Sequence, residues 1–341
     1  MTPDPLLPAL TARAKARAHA RTPAPAPTCP CVAATLAHRP DGTVVRHADT
    51  VAKAHAPGTD PTALTHRVTA AATLPGVYLP PLDPTPALVP VPPHDRLVTF
   101  WPYGTPVDPD DPTTAPWEAA GTLLAHLHRT TLTTLTTPTT GTTPTALPPM
   151  RGPQKAAAAV ATLRATTRRH PHPAATPVLR AWSTLPPWAR AEAPMPDAAT
   201  LCHGDLHLGQ LVRHPAPDGP WLLIDVDDLG VGVPAWDLAR PAAWYACGLL
   251  PPGDWSRFLA AYRTAGGPAV PPDGDPWPAL DVPARALTVQ TAARALTKAI
   301  AAGREPDEME RLLIDACARM AAVPADVPAD APAQLGGASP K

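Results

Sequence analysis

The stretch from Leu201 to Asp228 constrains the fold of this chain more than any other. It reads Leu-Cys-His-Gly-Asp-Leu-His-Leu-Gly-Gln-Leu-Val and, after a short gap, Trp-Leu-Leu-Ile-Asp-Val-Asp-Asp. The pattern predicts a loop, a strand, a turn and a second strand, which together carry a carboxylate, an amide and a second carboxylate. One carboxylate can orient a hydroxyl and take its proton, while amide and carboxylate oxygens are ligands for Mg2+. Transfer of a phosphoryl group from a nucleotide needs that set of groups.

The order of these motifs resembles the catalytic and metal-binding loops of the aminoglycoside phosphotransferase and choline kinase-like family, whose members are related to the protein kinases. In that family His-Gly-Asp is followed, after four further residues, by Asn, and this chain has Gln210 at the Asn position. The form His-Leu-Gly-Gln is similar to that of maltokinases in the same superfamily. Ile-Asp at residues 224–225 and Asp-Leu-Ala at residues 237–239 also match, and the resemblance extends over roughly residues 31–322.

The resemblance implies an α+β fold with two lobes, as in protein kinases: an N-lobe with a small antiparallel sheet and a mostly helical C-lobe. It also implies that ATP or GTP binds with Mg2+ in the cleft between the lobes. Asp205 would be the catalytic base, Gln210 and Asp225 the magnesium ligands, and Lys53 the residue that binds the phosphates. Supporting roles are implied for three further residues: His203, Asp227 and Asp237.

The N-terminal part of the chain is predicted to be strand-rich. A first strand is expected over residues 31–37, Asp41-Gly42 signals a hairpin turn, and two more strands reach residue 55. Lys53 lies in an otherwise apolar strand, where a lysine is costly unless it meets an anion; the alternative is an edge-strand lysine that faces water. The helix expected at residues 61–73 has Arg67 where a glutamate partner for Lys53 would align. Either another acid holds the lysine, or the lysine binds phosphate without that partner.

An apolar strand at residues 97–101 is expected to lead into the hinge between the lobes, where backbone groups around Trp101 and Tyr103 would bind an adenine edge. The alternative is an ordinary exit from a strand. The chain is thus expected to divide into four parts. They are a flexible arm (1–28), a nucleotide-binding N-lobe (29–103), a C-lobe that binds the acceptor (104–322) and a disordered tail (323–341).

Composition excludes several functional classes. The net charge of −1 argues against a dedicated nucleic-acid binder. No apolar run approaches the ~20 residues that cross a bilayer, and the basic N-terminus has no apolar stretch typical of a secretory signal. The odd number of cysteines, five, suits a reducing cytosol, so we expect a cytoplasmic protein without a membrane partner.

Two other interpretations stay open at this point. A metal hydrolase would use a cluster of histidines and aspartates between residues 203 and 227, and a catalytically weak, nucleotide-binding kinase fold would account for Gln210 and the missing glutamate. Asp227 and Asp228 are either metal contacts or solvated acids of a turn. The acceptor, whether aminoglycoside-like, a sugar or an amino alcohol, cannot be read from the sequence, and neither can the oligomeric state.

Overall fold

The computed structural model describes residues 6–20, 31–83, 96–132 and 147–322. The predicted tail at 323–341, and part of the predicted arm, lie outside the described residues. The described part has the predicted α+β architecture: a small antiparallel sheet comes first in the chain, and a mostly helical lobe follows. None of the helices described is both long and apolar enough to cross a membrane.

The N-lobe sheet contains four antiparallel strands in chain order, joined first by the predicted Asp41-Gly42 turn and then by Ala48-Asp49. Lys53 lies opposite Val44 on one neighbouring strand and Thr99 on the other, so its strand is internal. The edge-strand alternative for this lysine is therefore wrong. The strands are β1 (Ala33–Arg39), β2 (Gly42–His47), β3 (Thr50–Ala54) and β4 (Val98–Pro102).

The first helix, α1 (Leu6–His19), corrects the prediction of a loosely docked arm for these residues. Leu6, Leu10 and Ala14 follow each other at a spacing of four, which places them on one face of the helix. That face is buried against the N-lobe sheet in a small apolar cluster.

The helix that follows β3, α2 (Pro61–Ala72), begins where capping chemistry predicts. The Asp60 side chain accepts hydrogen bonds from two backbone N–H groups of the first turn, and Pro61 occupies the first helical position. Leu64 and Val68 on its buried face belong to the main apolar core, which is otherwise formed largely by the C-lobe.

Two small sheets of the C-lobe carry the motifs. The β6 strand (Thr200–Cys202) pairs with β9 (Gly230–Gly232). The hairpin of β7 (Leu211–Arg213) and β8 (Trp221–Leu223) extends to β5 (Thr105–Pro106), just after the hinge. Residues 203–210 consequently form the loop between β6 and β7, which we call the first loop. Residues 224–229 form the loop between β8 and β9, which we call the second loop.

Helices surround these loops, and α8 is the central one, in contact with α4, α5, α6 and α9. The α8 helix continues through Pro283, because its packing on four neighbours outweighs the backbone hydrogen bond lost there. The C-lobe helices are α3 (Trp117–His128), α4 (Gly152–Arg169), α5 (Ala175–Ser183), α6 (Ala235–Ala246), α7 (Pro252–Thr264), α8 (Trp277–Ala301) and α9 (Glu308–Ala322).

Candidate active site

A buried carboxylate from α6 holds the first loop in place. Asp237 is 1% exposed. Its two oxygens accept hydrogen bonds from the backbone N–H groups of His203 at 2.6 Å and Gly204 at 2.7 Å. His128 on α3 donates to the same carboxylate from Nε2 at 3.0 Å, and its Nδ1 lies 2.8 Å from the Tyr262 hydroxyl. Asp237 therefore ties the loop to two helices and is more than a helix cap.

The turn of the first loop requires glycine. Gly204 has φ 86°, and a Cβ atom there would lie 2.4 Å from the backbone oxygen of Asp228 in the second loop. The neighbouring His203 joins the two loops, because its Nε2 donates to the backbone oxygen of Ile224 at 2.9 Å. Its ring also stacks on Tyr78, with centroids 6.0 Å apart. Through these contacts His203 holds the first loop against the second.

The predicted base, Asp205, is held by two cations. Lys155 on α4 places Nζ 2.6 Å from one carboxylate oxygen, and Arg240 on α6 donates to the other. Burial alone would raise the pKa of Asp205, but the charges of Lys155 and Arg240 outweigh it and hold the pKa well below its usual range. The carboxylate is therefore ionised at neutral pH.

The second loop binds Lys53 from the N-lobe. Its Nζ lies 2.7 Å from Asp225 Oδ1 and 3.0 Å from Asp227 Oδ2. Burial alone would lower the pKa of Lys53, but the two carboxylate charges outweigh it and raise the pKa above its usual value. Two acids of the C-lobe thus hold the lysine in place of the missing helix glutamate.

The backbone of Asp225 has φ 68°, which is a strained conformation for a non-glycine residue. Such conformations are concentrated at functional sites.

A hydrogen-bonded chain leads from the second loop to the hinge. Asp227 Oδ1 lies 2.6 Å from Nδ1 of the buried His55, and the other ring nitrogen lies 2.8 Å from the Thr99 hydroxyl. Trp101 Nε1 donates to the same hydroxyl at 2.8 Å. With hydrogen on Nδ1, the His55 ring donates to Asp227, and its Nε2 accepts from the Thr99 hydroxyl. Asp227 is therefore a paired acid, not a solvated one, and Trp101 is connected to the site through its side chain.

The hinge residue Tyr103 departs from the prediction. Its backbone N–H donates to Asp49 at 2.7 Å, and its backbone oxygen accepts from His214 Nδ1 at 3.0 Å. Its ring lies under the Arg46 guanidinium, 3.4 Å from the centroid. In this conformation, therefore, both backbone groups of Tyr103 are engaged within the protein and do not face an adenine edge.

Gln210 and Asp225 form a donor set that fits Mg2+. Gln210 Nε2 lies 3.4 Å from Asp225 Oδ2. Rotating the amide by half a turn exchanges its nitrogen and oxygen, which would place two oxygens at that spacing. Adjacent ligands of octahedral Mg2+ with bonds of about 2.1 Å are about 3 Å apart. Although glutamine is one methylene longer than asparagine, its amide group still lies close enough to the Asp225 carboxylate to share a metal ion with it.

The last acid of the second loop is also paired, so of its two open alternatives the solvated turn acid is wrong. Asp228 is buried, and its carboxylate lies 2.6 Å from Lys155 Nζ and 3.0 Å from Arg151 Nε. Arg67, which replaces the expected helix glutamate, donates from Nε to the backbone oxygen of Leu229. This bond attaches α2 to the second loop, so Arg67 has a structural role that the sequence did not predict.

Comparisons with known proteins agree with this geometry. A sequence model of the phosphotransferase enzyme family matches residues 78–280, which is more than half of the chain and includes both loops. The chain belongs to the phosphotransferase enzyme family. A comparison with curated protein sequences gives no match.

Solved structures show the same fold at low sequence identity. The chain is similar to a choline/ethanolamine kinase family protein from Mesorhizobium loti: identity is 17%, the TM-score is 0.50, and coverage is 92% of this chain and 96% of that one. It is also similar to a putative aminoglycoside phosphotransferase from Ralstonia eutropha, with 14% identity, a TM-score of 0.52 and coverage of 91% and 95%. A third is a thermostable mutant of the aminoglycoside phosphotransferase APH(4)-Ia in ternary complex with AMP-PNP and hygromycin B, with 14% identity, a TM-score of 0.52 and coverage of 85% and 94%.

The metal-hydrolase interpretation finds no support in this member of the phosphotransferase family. Among the described residues, the one group of three or more metal-ligating side chains with clustered ligand atoms is His128, Cys202 and Asp237. That group is fully buried, and both oxygens of Asp237 already accept hydrogen bonds from the first loop. His203 Nε2 is likewise engaged with the second loop, away from any shared ligand set.

Sequence reasoning missed three residues that contact the predicted ones: Lys155, Arg240 and His55. Arg240 could have been found from its spacing, because it follows Asp237 by three residues and so lies on the same helix face. Lys155 could have been found from the scarcity of lysine. Lysine occurs only at positions 15, 53, 155, 298 and 341 in a chain whose positive charge is mostly arginine. The two lysines at 53 and 155 both bind aspartates of the site.

Proposed function

We propose that this chain is a small-molecule kinase that moves the γ-phosphoryl group of ATP or GTP to a hydroxyl of a small molecule. The observation that carries the proposal is the convergence of Lys53 from the N-lobe with Asp225 and Gln210 of the C-lobe, next to the loop that presents Asp205. Family membership supports the same reaction class.

Asp205 is the group that receives the acceptor hydroxyl. Its pKa is held low, so it orients the hydroxyl and takes the proton only as the bond to phosphorus forms. A loose, metaphosphate-like transition state needs little base strength and depends mainly on positioning. Asp237 and His203 position this residue by fixing the loop on both sides of it.

Gln210 and Asp225 would hold Mg2+, which would neutralise phosphate charge when the nucleotide is bound. Lys53 would bind the phosphates beside it, with Asp227 and His55 keeping its ammonium group in place. A structural neighbour with AMP-PNP bound supports a nucleotide in the cleft. Trp101 would lie at the adenine end, whereas Tyr103 would contribute only if its contacts with Asp49 and His214 were released.

The surroundings of Asp205 favour one class among aminoglycoside-like, sugar and amino alcohol acceptors. A hydroxyl bonded to this carboxylate lies within about 6 Å of both Lys155 and Arg240, since hydrogen bonds span about 3 Å. An ammonium group next to the reacting hydroxyl would meet both cations. We therefore propose a neutral, sugar-like acceptor in preference to one with an amine beside its reacting hydroxyl.

The test is ADP release with Mg2+ and ATP or GTP against a panel of sugars, amino alcohols and aminoglycosides. We expect wild type to be active with at least one hydroxylated acceptor. Asp205→Asn should lower kcat by about 10²–10⁴-fold while nucleotide affinity changes little. Asp281→Asn, an exposed acid on α8, is the matched control and should behave as wild type.

Two results would contradict the proposal. If wild type binds nucleotide but transfers phosphate to no acceptor, the chain is a nucleotide-binding kinase fold without transferase activity. If Asp205→Asn turns over near the wild-type rate, Asp205 is not the base.

A further inference from the structure

The side chain of Lys155 lies between the two loops of the site, although it belongs to neither. It extends from the first turn of α4, and its Nζ lies 2.6 Å from Asp205 Oδ2 and 2.6 Å from Asp228 Oδ2. The side chains of these aspartates are 14% and 6% exposed, so the ammonium group joins two acids that are largely withdrawn from water.

Asp228 and the backbone of Lys155 are both held in place by further contacts. Asp228 is held on its other side by Arg151 Nε at 3.0 Å, and its backbone oxygen accepts from the Arg151 N–H at 3.3 Å. Lys155 is followed by Ala156, which is fully buried, and α4 packs on α8. The C-lobe core therefore holds the backbone of Lys155, and the two carboxylates hold its ammonium group.

Such a bridge fixes how the Asp205 carboxylate is turned. Arg240 on α6 binds Oδ1, and Lys155 on α4 binds Oδ2, so cations from two separate helices hold both oxygens. Without one of them the carboxylate can rotate about its last torsion, which is broad for aspartate. The lone pairs left for an acceptor hydroxyl would then point in varying directions.

We propose that Lys155 is a positioning residue for phosphoryl transfer: anchored by Asp228, it holds the Asp205 carboxylate in the orientation that receives the acceptor hydroxyl. The proposal rests on the proposed function of Asp205. Lysine suits this place, because a compact ammonium group can serve two carboxylates on different sides, whereas a guanidinium is planar and forked.

The charges around Asp205 allow a readout that a merely structural lysine would not change. The groups that face this carboxylate are Lys155 from α4, Arg240 from α6 and His207 from its own loop, with Asp228 behind the lysine. When Lys155 is removed, Arg240 is the one cation of the described residues that still pairs with the Asp205 carboxylate. The pKa of Asp205 should then rise toward its usual value.

The experiment compares Lys155→Met, Lys155→Arg and the double variant Lys155→Met/Asp228→Asn with wild type. The double variant removes both charges and so avoids leaving a buried unpaired acid, which could prevent folding. Arg164→Met, an exposed cation of the same helix, is the matched control. Kinetics are measured with the best acceptor of the panel, across pH 3 to 9.

We expect Lys155→Met and the double variant to lower kcat by roughly 10- to 100-fold with little change in the KM for nucleotide. In wild type, protonation of Asp205 lies below this pH range, so an acidic limb from this carboxylate should appear only in the two methionine variants, near the lower end of the range. Lys155→Arg should recover part of the rate. A double variant that keeps wild-type kcat, an acidic limb that does not differ from wild type, or an arginine variant no better than methionine would each overturn the proposal.

A second measurement separates this proposal from the function it rests on. If wild type shows no transfer, the proposed function has failed. The 13C resonance of the Asp205 carboxyl is then titrated in wild type and Lys155→Met. A rise in its pKa of at least about one unit supports the lysine bridge, since one unit corresponds to about the strength of one charged contact. An unchanged titration overturns it.

Discussion

Removal of the Asp237 carboxylate is the sharpest test of how the site is built. Asp237→Ala takes the acceptor away from three donors: the backbone N–H groups of His203 and Gly204, and Nε2 of His128. All three donors lie in the buried interior. The variant leaves them without a partner, in a region that holds the first loop.

The size of the effect follows from these contacts. A hydrogen bond to a charged group contributes about 1.5–3 kcal/mol, so three would total roughly 4.5–9 kcal/mol if they were independent. They share one carboxylate and are not independent, and a water molecule can partly replace it. We therefore expect Asp237→Ala to lower the free energy of unfolding by about 3–5 kcal/mol, the usual loss when one partner of a buried charge network is removed. Asp237→Asn keeps one oxygen and should lose about 1–3 kcal/mol.

The assay is urea unfolding at pH 7 followed by tryptophan fluorescence. Asp281→Ala, an acid on α8 that is 56% exposed and 3.4 Å from Arg285, is the control and should change stability by less than about 0.5 kcal/mol. If the free energy of unfolding of Asp237→Ala lies within about 1 kcal/mol of the wild-type value, the loss is no larger than that of one ordinary hydrogen bond. The Asp237 carboxylate then does not hold the loop.

Two further predictions concern the first loop. Burial, together with the charge of Arg240, lowers the pKa of His207 to about 4. Because its unfolded-state pKa is about 6.5, the unfolded chain binds more protons between these values, so wild type should lose up to about 3 kcal/mol as pH falls from 6.5 to 4. Urea titrations of His207→Gln should show a smaller loss, and an equal loss would refute the assignment. Gln210→Asn should preserve or strengthen the Mg2+ dependence of transfer, measured by magnesium titration of ADP release, and a variant that no longer folds would show that Gln210 is structural.

The sequence by itself was sufficient for features that depend on near neighbours. The Asp41-Gly42 turn predicted a hairpin, and pairing of Leu211 with Leu223 in the β7–β8 hairpin brings Gln210 next to Asp225. The helix predicted at residues 61–73 is likewise present, as α2. These features are local, because hydrogen bonds between residues close in the chain and the period of the apolar pattern decide them.

Contacts between distant segments could be expected only through the family resemblance. Lys53 and Asp225 are separated by 172 positions, and the spacing of residues contains nothing that joins them. The resemblance predicted that both residues belong to one site. It did not predict that Asp225 and Asp227 would bind the lysine directly in place of a helix glutamate.

The tertiary structure alone decided which charges surround the base. Lys155 lies on a helix with no recognisable motif, and it reaches Asp205 only because α4 packs on α8 beside the two loops. The docking of α1 on the N-lobe sheet was decided in the same way, by burial of Leu6 and Leu10 against strands that lie far along the chain. The physical reason is common to both cases. The sequence determines the charge of each side chain and the spacing of side chains along the chain. The distance between two charges, or between two apolar faces, is set only when the helices and strands that carry them pack together.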